Sequence, residues 1–362
     1  MMIPYLISIG HWLPKQHKTP VGSRFVVSGR KCTVKTLSKD ISKALRTVQK
    51  SIKFKCNYDH KFSKTSAYWI INSSKQVHEH IENINTHSQA KYIYTGDFST
   101  LYTLIPHDQL LMRIRLMLEL GFNISKKKCL RINKHNATWR DKFPVNAKCT
   151  YMDLEALMES INILLENIYI SFNKKVYRQK IGIPIGSDCA QELANLYLLS
   201  YELEYVDELL DEGDEDSEYV KYNSRYIDDL ISLNDMGYME RIYQDIYPIE
   251  MKLNQTNNTS TNANYLDINI QVIDGKYVTK IYDKRRDYNF KIVSLPHMSS
   301  NVPLGPTYGV FISQVHRFFV ANNTLEGFYN EVKGLVIKLL HQGFVKNKLK
   351  YYLAKYLDKH FL

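Results

Sequence analysis

Cysteine is scarce in this 362-residue sequence, and long apolar runs are missing. The five cysteines lie far apart and form no CxxC pair, which argues against a disulfide framework and against a zinc site. The apolar stretch over residues 1–13 contains Pro4 and His11 and is shorter than the roughly 20 apolar residues of a membrane-spanning helix. We therefore expect reduced thiols, an intracellular location and no membrane partner. Neither an internal repeat nor a Gly/Ser-rich or Pro-rich linker divides the chain.

Positive charge is abundant instead. The sequence has 48 Lys and Arg against 37 Asp and Glu, a formal net charge of +11. Hydrophobic residues make up 44% of the chain and charged residues 23%, as in an ordinary globular protein. The charge favours a polyanionic partner, with nucleic acid as the first candidate and an anionic membrane surface as the second.

One basic helix is predicted near the start of the chain. Apolar residues recur there at steps of three and four, at Val34, Leu37, Ile41, Leu45, Val48 and Ile52. Lys35, Lys39 and Lys43 follow the same period on another face. Two interpretations of these lysines stay open, a solvated helix face or a surface for phosphates.

The remaining pattern alternates strands and helices. Residues 91–96 predict a buried strand that runs into Asp97, and Asp108 is placed to cap the helix that follows. Residues 123–150 are basic and irregular, and an acidic run at 211–218 is typical of a solvated loop. Further elements are predicted as helices over 109–120, 151–170 and 188–208, a strand over 170–179, a hairpin at 228–229, a polar loop over 254–264 and helices from 308 onward.

Three segments carry candidate chemistry. They are GDFSTLYTLIPH at 96–107, GIPIGSDCAQELANLYL at 182–198 and RYIDDLISL at 225–233. Two adjacent acids within a strand pattern are costly to bury unless they lie in a turn or hold a cation, so an exposed hairpin turn is the alternative for Asp228 and Asp229. Magnesium prefers such oxygen ligands, and two ions about 4 Å apart can promote phosphoryl transfer. The ordered set of three segments favours the metal site.

These segments resemble motifs A, B and C of reverse transcriptases, most closely those of the Penelope-like retroelement family. The likeness extends to WLPKQHKTPVGSRFVVSGRKCTVKTLSK near the start and to YLDINI, KIYDKRRDYNF and YGVFISQVHRF near the end. It implies an α+β right-hand polymerase. The expected divisions are fingers over 1–90, a palm with an antiparallel sheet over 91–290, a fingers insertion at about 120–170, and a helical thumb over 291–362.

The resemblance also implies roles for the acids. Asp97 and Asp228 would be the principal ligands of two Mg²⁺ ions, for which Mn²⁺ is an alternative. Asp229 would complete the triad, and the Phe98 carbonyl would be an extra ligand. The expected reaction is RNA-directed DNA synthesis, in which a primer 3′-hydroxyl attacks a deoxynucleoside triphosphate.

Nucleotide contacts follow from the same likeness. Tyr102 would exclude the 2′-hydroxyl of a ribonucleotide, although a core tyrosine is the alternative interpretation of this residue. The family usually has proline where this chain has Gln191, from which we expect an altered entry geometry. The other implied nucleotide-binding residues are Lys18, Arg24, Gly182, Pro184 and Gly186.

The implied partners are an RNA template, a DNA primer, their RNA–DNA hybrid and deoxynucleotides. Lys346, Lys348 and Lys350 would contact the phosphate backbone. Penelope-like proteins extend further at both ends, so a part before the fingers or an endonuclease on another chain is a further expected partner. A nuclear location is expected in a eukaryotic host. Two rivals remain open, a catalytically silent nucleic-acid-binding remnant and an RNA polymerase on the same scaffold.

Overall fold

The computed structural model describes residues 7–15, 22–29, 32–63, 65–144, 149–183, 186–290, 292 and 294–361. Within them the chain forms two compact units. The first comprises residues 1–70, 96–230 and 237–255, and the second comprises 71–95, 231–236 and 256–362, apart from the undescribed positions. The predicted division into fingers, palm and thumb stays a prediction.

The described residues combine α-helices with mostly antiparallel sheets, in agreement with the predicted α+β class. The helices are α1 (Lys35–Ser63), α2 (Lys75–His87), α3 (His107–Ser125), α4 (Leu154–Glu166), α5 (Ala190–Asp211), α6 (Tyr238–Ile246), α7 (Leu304–Ala321), α8 (Leu325–His341) and α9 (Lys346–Phe361). The strands are β1 (Ser8–Lys15), β2 (Gly22–Ser28), β3 (Ile93–Phe98), β4 (Cys129–Ile132), β5 (Ala137–Arg140), β6 (Thr150–Met152), β7 (Tyr169–Phe172), β8 (Lys175–Arg178), β9 (Asn223–Tyr226), β10 (Asp229–Leu233), β11 (Leu253–Gln255), β12 (Asn262–Tyr265), β13 (Ile268–Ile273) and β14 (Lys276–Ile281).

Helix α1 confirms the apolar stripe read from the sequence. Ile41, Leu45, Val48 and Ile52 are fully buried because a period of 3.6 residues brings them to one face. The helix is longer than predicted and continues to Ser63. It packs in the first unit with α3, α4 and α5, whose buried faces supply most of that unit's core.

A cap was predicted for α3, whereas the cap of α4 was found only in the structure. Helix α3 begins at His107 behind Pro106, and Asp108 lies in its first turn, so the prediction that Asp108 caps the helix is wrong. Pro106, with its fixed φ, takes the extended position before the helix, and the helix starts two residues earlier than the predicted residue 109. Helix α4 is capped by Asp153, whose Oδ1 accepts from the Ala156 backbone N–H at 2.9 Å.

The basic segment over 123–150 is more ordered than predicted. After the end of α3 it contains β4 and β5, which form a three-stranded antiparallel sheet with β6 in the order β5–β4–β6. The sequence shows little strand pattern there because polar and basic residues dominate the outer face. The predicted strand over 170–179 is also two strands, β7 and β8, joined at Asn173 and Lys174. Both residues have positive φ, 49° and 62°, as a tight hairpin turn requires.

In the second unit, a meander of β12, β13 and β14 packs with α2, α7 and α8. The turn between β12 and β13 is fixed by Asp267. Its Oδ1 accepts from Ser74 Oγ at 2.5 Å and its Oδ2 accepts from Arg317 Nε at 3.2 Å. One carboxylate therefore joins the start of α2, the hairpin and α7. The predicted helical pattern from 308 onward is confirmed by α7, α8 and α9.

All five cysteines are free thiols, in agreement with the expectation from their spacing. Among the described residues, every helix is too short or too polar to cross a membrane.

Candidate active site

The acidic residues of the first and third motif segments lie on neighbouring strands. The sheet that carries them has the order β11–β3–β10–β9. Asp97 is the penultimate residue of β3, and its neighbour Phe98 donates its backbone N–H to the Asp228 carbonyl at 2.9 Å. Asp229 is the first residue of β10. The three acids are half-buried, so they face a site that solvent can reach.

A buried ion pair stands directly behind the turn that carries Asp228. Arg225 and Glu202 are both fully buried, and the guanidinium donates to the two carboxylate oxygens at 2.5 and 3.0 Å. Arg225 also donates to the Asn195 side chain and, at 2.9 Å, to the carbonyl of Ile227. Since Ile227 immediately precedes Asp228, the guanidinium holds the turn from inside the protein.

The same carboxylate reaches the strand of Asp97. Glu202 accepts a further hydrogen bond from the Tyr247 hydroxyl at 2.9 Å. The Tyr247 ring packs edge-on against Phe98, with ring centroids 4.8 Å apart. Phe98 follows Asp97 in β3. Glu202 of α5 thus connects the two acidic segments. It binds Arg225, which holds the turn before Asp228, and it binds Tyr247, which packs against Phe98 next to Asp97.

The turn itself is strained. Ile227 has φ of 59°, a left-handed conformation that β-branched residues rarely adopt. Positive φ at the first residue of a two-residue hairpin loop matches the twist of the flanking strands. Such strain persists only where neighbouring groups hold the backbone, and it is concentrated at functional sites. The Arg225 guanidinium on the Ile227 carbonyl provides that hold.

The structure brings Gly182 against Tyr102. The Ile183 backbone N–H donates to the Tyr102 carbonyl at 3.1 Å, and Gly182 donates to the carbonyl of Ile105 at 2.8 Å. Gly182 has φ of +83°, and an added Cβ would lie 2.4 Å from the Tyr102 oxygen. Only glycine fits this position. Tyr102 is half-buried in the turn after β3, where its core and gate interpretations both remain open.

The second glycine of the loop lies against the strand β2. Gly186 has φ of +93°, and a Cβ there would come within 2.2 Å of the Val27 carbonyl. After Gly186 the chain is fastened to α1. Ser38 Oγ accepts from the Asp188 backbone N–H at 2.6 Å, and Lys35 pairs with the Asp188 carboxylate at 2.7 Å. Burial raises the pKa of the adjacent Cys189 thiol to about 11, so this thiol stays protonated at neutral pH and serves in packing.

The predicted basic residues have different surroundings. Lys43 binds Asp40 at 2.8 Å and the Asn133 carbonyl at 2.9 Å, and Lys35 is paired with Asp188, whereas Lys39 is exposed. Lys346, Lys348 and Lys350 are exposed on α9 in the second unit. Arg24 lies in β2, next to the described Phe25. Lys18 and Pro184 lie outside the described residues, and the roles of all these residues stay predictions.

The donor set at the strand ends suits a hard cation. The Asp97 carboxylate makes no hydrogen bond or ion pair with any described residue. Within the described ranges, no group of three or more His, Cys, Asp or Glu side chains converges to hold a metal ion by itself. Magnesium is commonly bound by one or two carboxylates together with the phosphates of a substrate. Asp97 and Asp228 are the residues here that could hold such an ion.

Several residues of this site were missed by sequence reasoning. They are Arg225, Glu202, Asn195, Tyr247 and His107, whose Nε2 is 2.9 Å from the Gly182 carbonyl. Two carry a sequence signal. Glu202 interrupts an apolar stretch of α5, where fifteen residues are buried, and Arg225 lies within β9, the strand before the acids. A charge inside an apolar element predicts a buried partner, but the spacing does not say which one.

Comparisons with solved structures agree with this architecture. A telomerase from Candida albicans, in complex with a TWJ fragment of telomeric RNA, aligns with 97% of this chain and 59% of its own, at 12% identity and a TM-score of 0.60. Two structures of telomerase from Candida tropicalis, one apo and one with the same kind of RNA fragment, align with 98% and 99% of this chain at 12% identity and TM-scores of 0.53.

This chain spans 62% and 56% of those two chains. Protein-family models and curated proteins give no match. At such low identity the likeness concerns the fold alone. The chain therefore has a reverse-transcriptase-like fold that is similar to that of telomerase.

Proposed function

We propose that this chain is an RNA-directed DNA polymerase of the Penelope-like retroelement type. The observation that carries the proposal is the hydrogen bond from the Phe98 N–H to the Asp228 carbonyl, which sets two acidic segments side by side. The reverse-transcriptase-like fold also supports the proposal, because the fold and the order of the three motif segments are separate observations that both fit a polymerase of this kind. Identity of 12% with the structural neighbours does not by itself carry an activity to this chain.

In this proposal Asp97 and Asp228 hold two Mg²⁺ ions, or Mn²⁺, and Asp229 and the Phe98 carbonyl assist. Bound metal would lower the pKa of the primer hydroxyl and neutralise charge on the departing pyrophosphate. The other residues of the site position the acidic ligands. Arg225 fixes the turn before Asp228, and Tyr247 packs against the strand of Asp97 through Phe98. Preorganised ligands of this kind need no rearrangement during the reaction.

The substrate in this proposal is a deoxynucleoside triphosphate. Gly182 lies against the Tyr102 carbonyl, which accepts a hydrogen bond from the Ile183 N–H, and these contacts hold the Tyr102 backbone in place. In this proposal the Tyr102 ring then excludes the 2′-hydroxyl of a ribonucleotide. Pro184 and Gly186 also contact the nucleotide in this proposal, and Lys18 and Arg24 bind its triphosphate. The exposed lysines of α9, with Lys39 of α1, contact the phosphates of an RNA template, a DNA primer and their hybrid. A nuclear location and an endonuclease or N-terminal part on another chain belong to the same proposal.

Primer extension tests this function directly. The purified chain is given an RNA template, a DNA primer, Mg²⁺ and deoxynucleotides, and it is compared with Asp228→Asn. Asp108→Asn is the matched control, because Asp108 is exposed in the first turn of α3. Extension by wild type and Asp108→Asn, with loss in Asp228→Asn, is expected. No extension by wild type in Mg²⁺ or Mn²⁺, with salt-sensitive primer–template binding retained, would favour the silent nucleic-acid-binding remnant.

A further inference from the structure

The sheet of β4, β5 and β6 has two unlike faces. One face holds Leu130, Ile132, Ala137 and Met152, each buried to at least nine-tenths. Trp139 belongs to the same face, and its Nε1 donates to Ser51 Oγ of α1 at 3.0 Å. Strands β4 and β5 contact α1 and strand β6 contacts α4, so this buried face forms part of the core of the first unit.

The opposite face combines guanidinium groups with aromatic rings. The register pairs Arg131 with Thr138 on one side and with Tyr151 on the other, so these side chains share a face. Arg140 belongs to it by the same alternation and is exposed. Phe143, which is 50% exposed, lies beside Tyr151 with ring centroids 6.1 Å apart.

The segment that carries β4 and β5 is strongly basic. Residues 126–142 contain seven Lys or Arg and one acid, Asp141. Asp141 is paired with Lys127 at 2.9 Å. The Arg131 Nη2 donates to the Cys149 Sγ at 3.6 Å, and among the described residues no carboxylate pairs with Arg131 or Arg140. Two guanidinium groups without a carboxylate partner on one face favour an anionic ligand.

The rings narrow the choice of ligand. A protein that binds a single strand combines a basic groove with aromatic side chains on which unpaired bases stack. A duplex presents phosphates but hides the faces of its bases, so it would leave Phe143 and Tyr151 unused. An acidic protein segment would satisfy the cations but would gain little from two tilted rings.

We infer that the Arg131–Arg140–Tyr151–Phe143 face is a binding platform for single-stranded RNA, with bases stacked on the two rings and phosphates on the two guanidinium groups. The choice of RNA rests on the proposed function, in which an unpaired template precedes the primer. In the sequence, the residues of the platform come after the motif segment at 96–107 and before the one at 182–198, and the platform includes no residue of either segment. It would hold template that has not yet been copied.

The test measures binding and needs no synthesis. Fluorescence anisotropy of a labelled 12-nucleotide oligouridylate is compared with that of a 12-base-pair RNA–DNA hybrid, for wild type and for the double variant Phe143→Ala/Tyr151→Ala. The control is Phe54→Ala/Tyr58→Ala, which removes an exposed Phe and an exposed Tyr from α1. Loss of base stacking should weaken the single-strand complex about tenfold or more and change the hybrid complex less than twofold.

Two further variants distinguish the loss of the binding face from misfolding of the protein. Tyr151→Phe keeps the ring and should bind the single strand as wild type does. Arg131→Gln/Arg140→Gln should reduce the slope of log Kd against log salt by about 1.4, since each phosphate contact on a single strand contributes about 0.7. Single-strand binding unchanged by Phe143→Ala/Tyr151→Ala, or a loss shared equally with the hybrid or with the α1 control, overturns the inference.

The outcome is separable from that of the proposed function. A chain that extends primers while Phe143→Ala/Tyr151→Ala binds oligouridylate normally would refute the platform alone. A chain that fails to extend primers but loses single-strand binding in that variant would refute the polymerase and retain the platform.

Discussion

The Arg225 guanidinium donates to both carboxylate oxygens of Glu202, and neither side chain is exposed to solvent. Two charges without access to water are stable only as a pair with further hydrogen bonds, which Asn195 and Tyr247 supply. The pair is placed where it bears on function, because the same guanidinium binds the carbonyl that precedes Asp228.

Removing one member of this pair should destabilise the protein strongly. Glu202→Leu leaves an uncompensated buried charge, which typically costs about 3–5 kcal/mol. The double variant Arg225→Met/Glu202→Leu should recover most of that loss, since two apolar side chains replace two charges. Urea unfolding followed by circular dichroism measures both values. An equal loss in the single and double variants would contradict this account.

The double variant should nevertheless fail in primer extension. Its Ile227 carbonyl lacks the guanidinium that holds the strained turn, so Asp228 loses its fixed position. We expect recovered stability together with extension reduced at least tenfold at saturating primer–template. Extension at the wild-type rate would show that Arg225 stabilises the fold without positioning Asp228.

Gly182 should tolerate alanine worse than another left-handed glycine does. Gly182→Ala places a Cβ 2.4 Å from the Tyr102 carbonyl at φ of +83°, while Gly213→Ala meets no atom within 4 Å at φ of +67°. The left-handed conformation alone costs about 1–2 kcal/mol for alanine. The loss of unfolding free energy in Gly182→Ala should exceed that in Gly213→Ala, and only Gly182→Ala should impair extension. Equal losses would mean that the loop yields to the added methyl group.

Tyr102→Val tests the steric gate of the proposed polymerase. A smaller side chain leaves room for a 2′-hydroxyl, so the ratio of kcat/KM for dCTP to that for CTP should fall by at least tenfold. Single-nucleotide extension with each substrate gives the ratio. Tyr94→Val is unsuitable as a control because Tyr94 is a core residue, whereas Tyr58→Val changes an exposed tyrosine of α1. An unchanged ratio in Tyr102→Val would leave Tyr102 as a structural residue of the turn.

His78 should make the second unit sensitive to acid. Burial lowers the pKa of His78, an effect that Asp267 only partly opposes. A depressed folded pKa means that the unfolded state binds the proton more tightly. The contribution of neutral His78 to the free energy of unfolding is therefore fully present above the ordinary histidine pKa of about 6.5, and it is lost as the pH falls below that value.

The check is the difference in unfolding free energy between pH 7 and pH 5. This difference should be smaller in His78→Gln than in wild type. His87→Gln, which changes an exposed histidine at the end of the same helix, should leave it unaltered. A difference that stays the same in His78→Gln would assign the acid sensitivity to other groups.

Local patterns determined much of this protein. Apolar spacing predicted α1, the terminal helices and the strand before Asp97, because burial selects residues with the period of the element. The adjacent acids between apolar residues predicted the hairpin of β9 and β10. The combination of helices with antiparallel sheets and the reverse-transcriptase-like fold also agree with what the motif resemblance implied. Metal use, substrate and template remain predictions from the sequence resemblance.

Tertiary structure decided what spacing along the chain cannot express. Glu202 and Arg225 are 23 residues apart, and only packing of α5 behind β9 makes them partners. The basic segment before β6 contains two strands because its apolar residues meet α1 and, through the rings of Trp139 and Phe122, α3, although its sequence is mostly polar. Strain at Ile227 is likewise invisible in the sequence, since isoleucine alone favours an extended strand. The physical reason is common to all three: pairing and burial depend on groups that the folded chain brings from elsewhere.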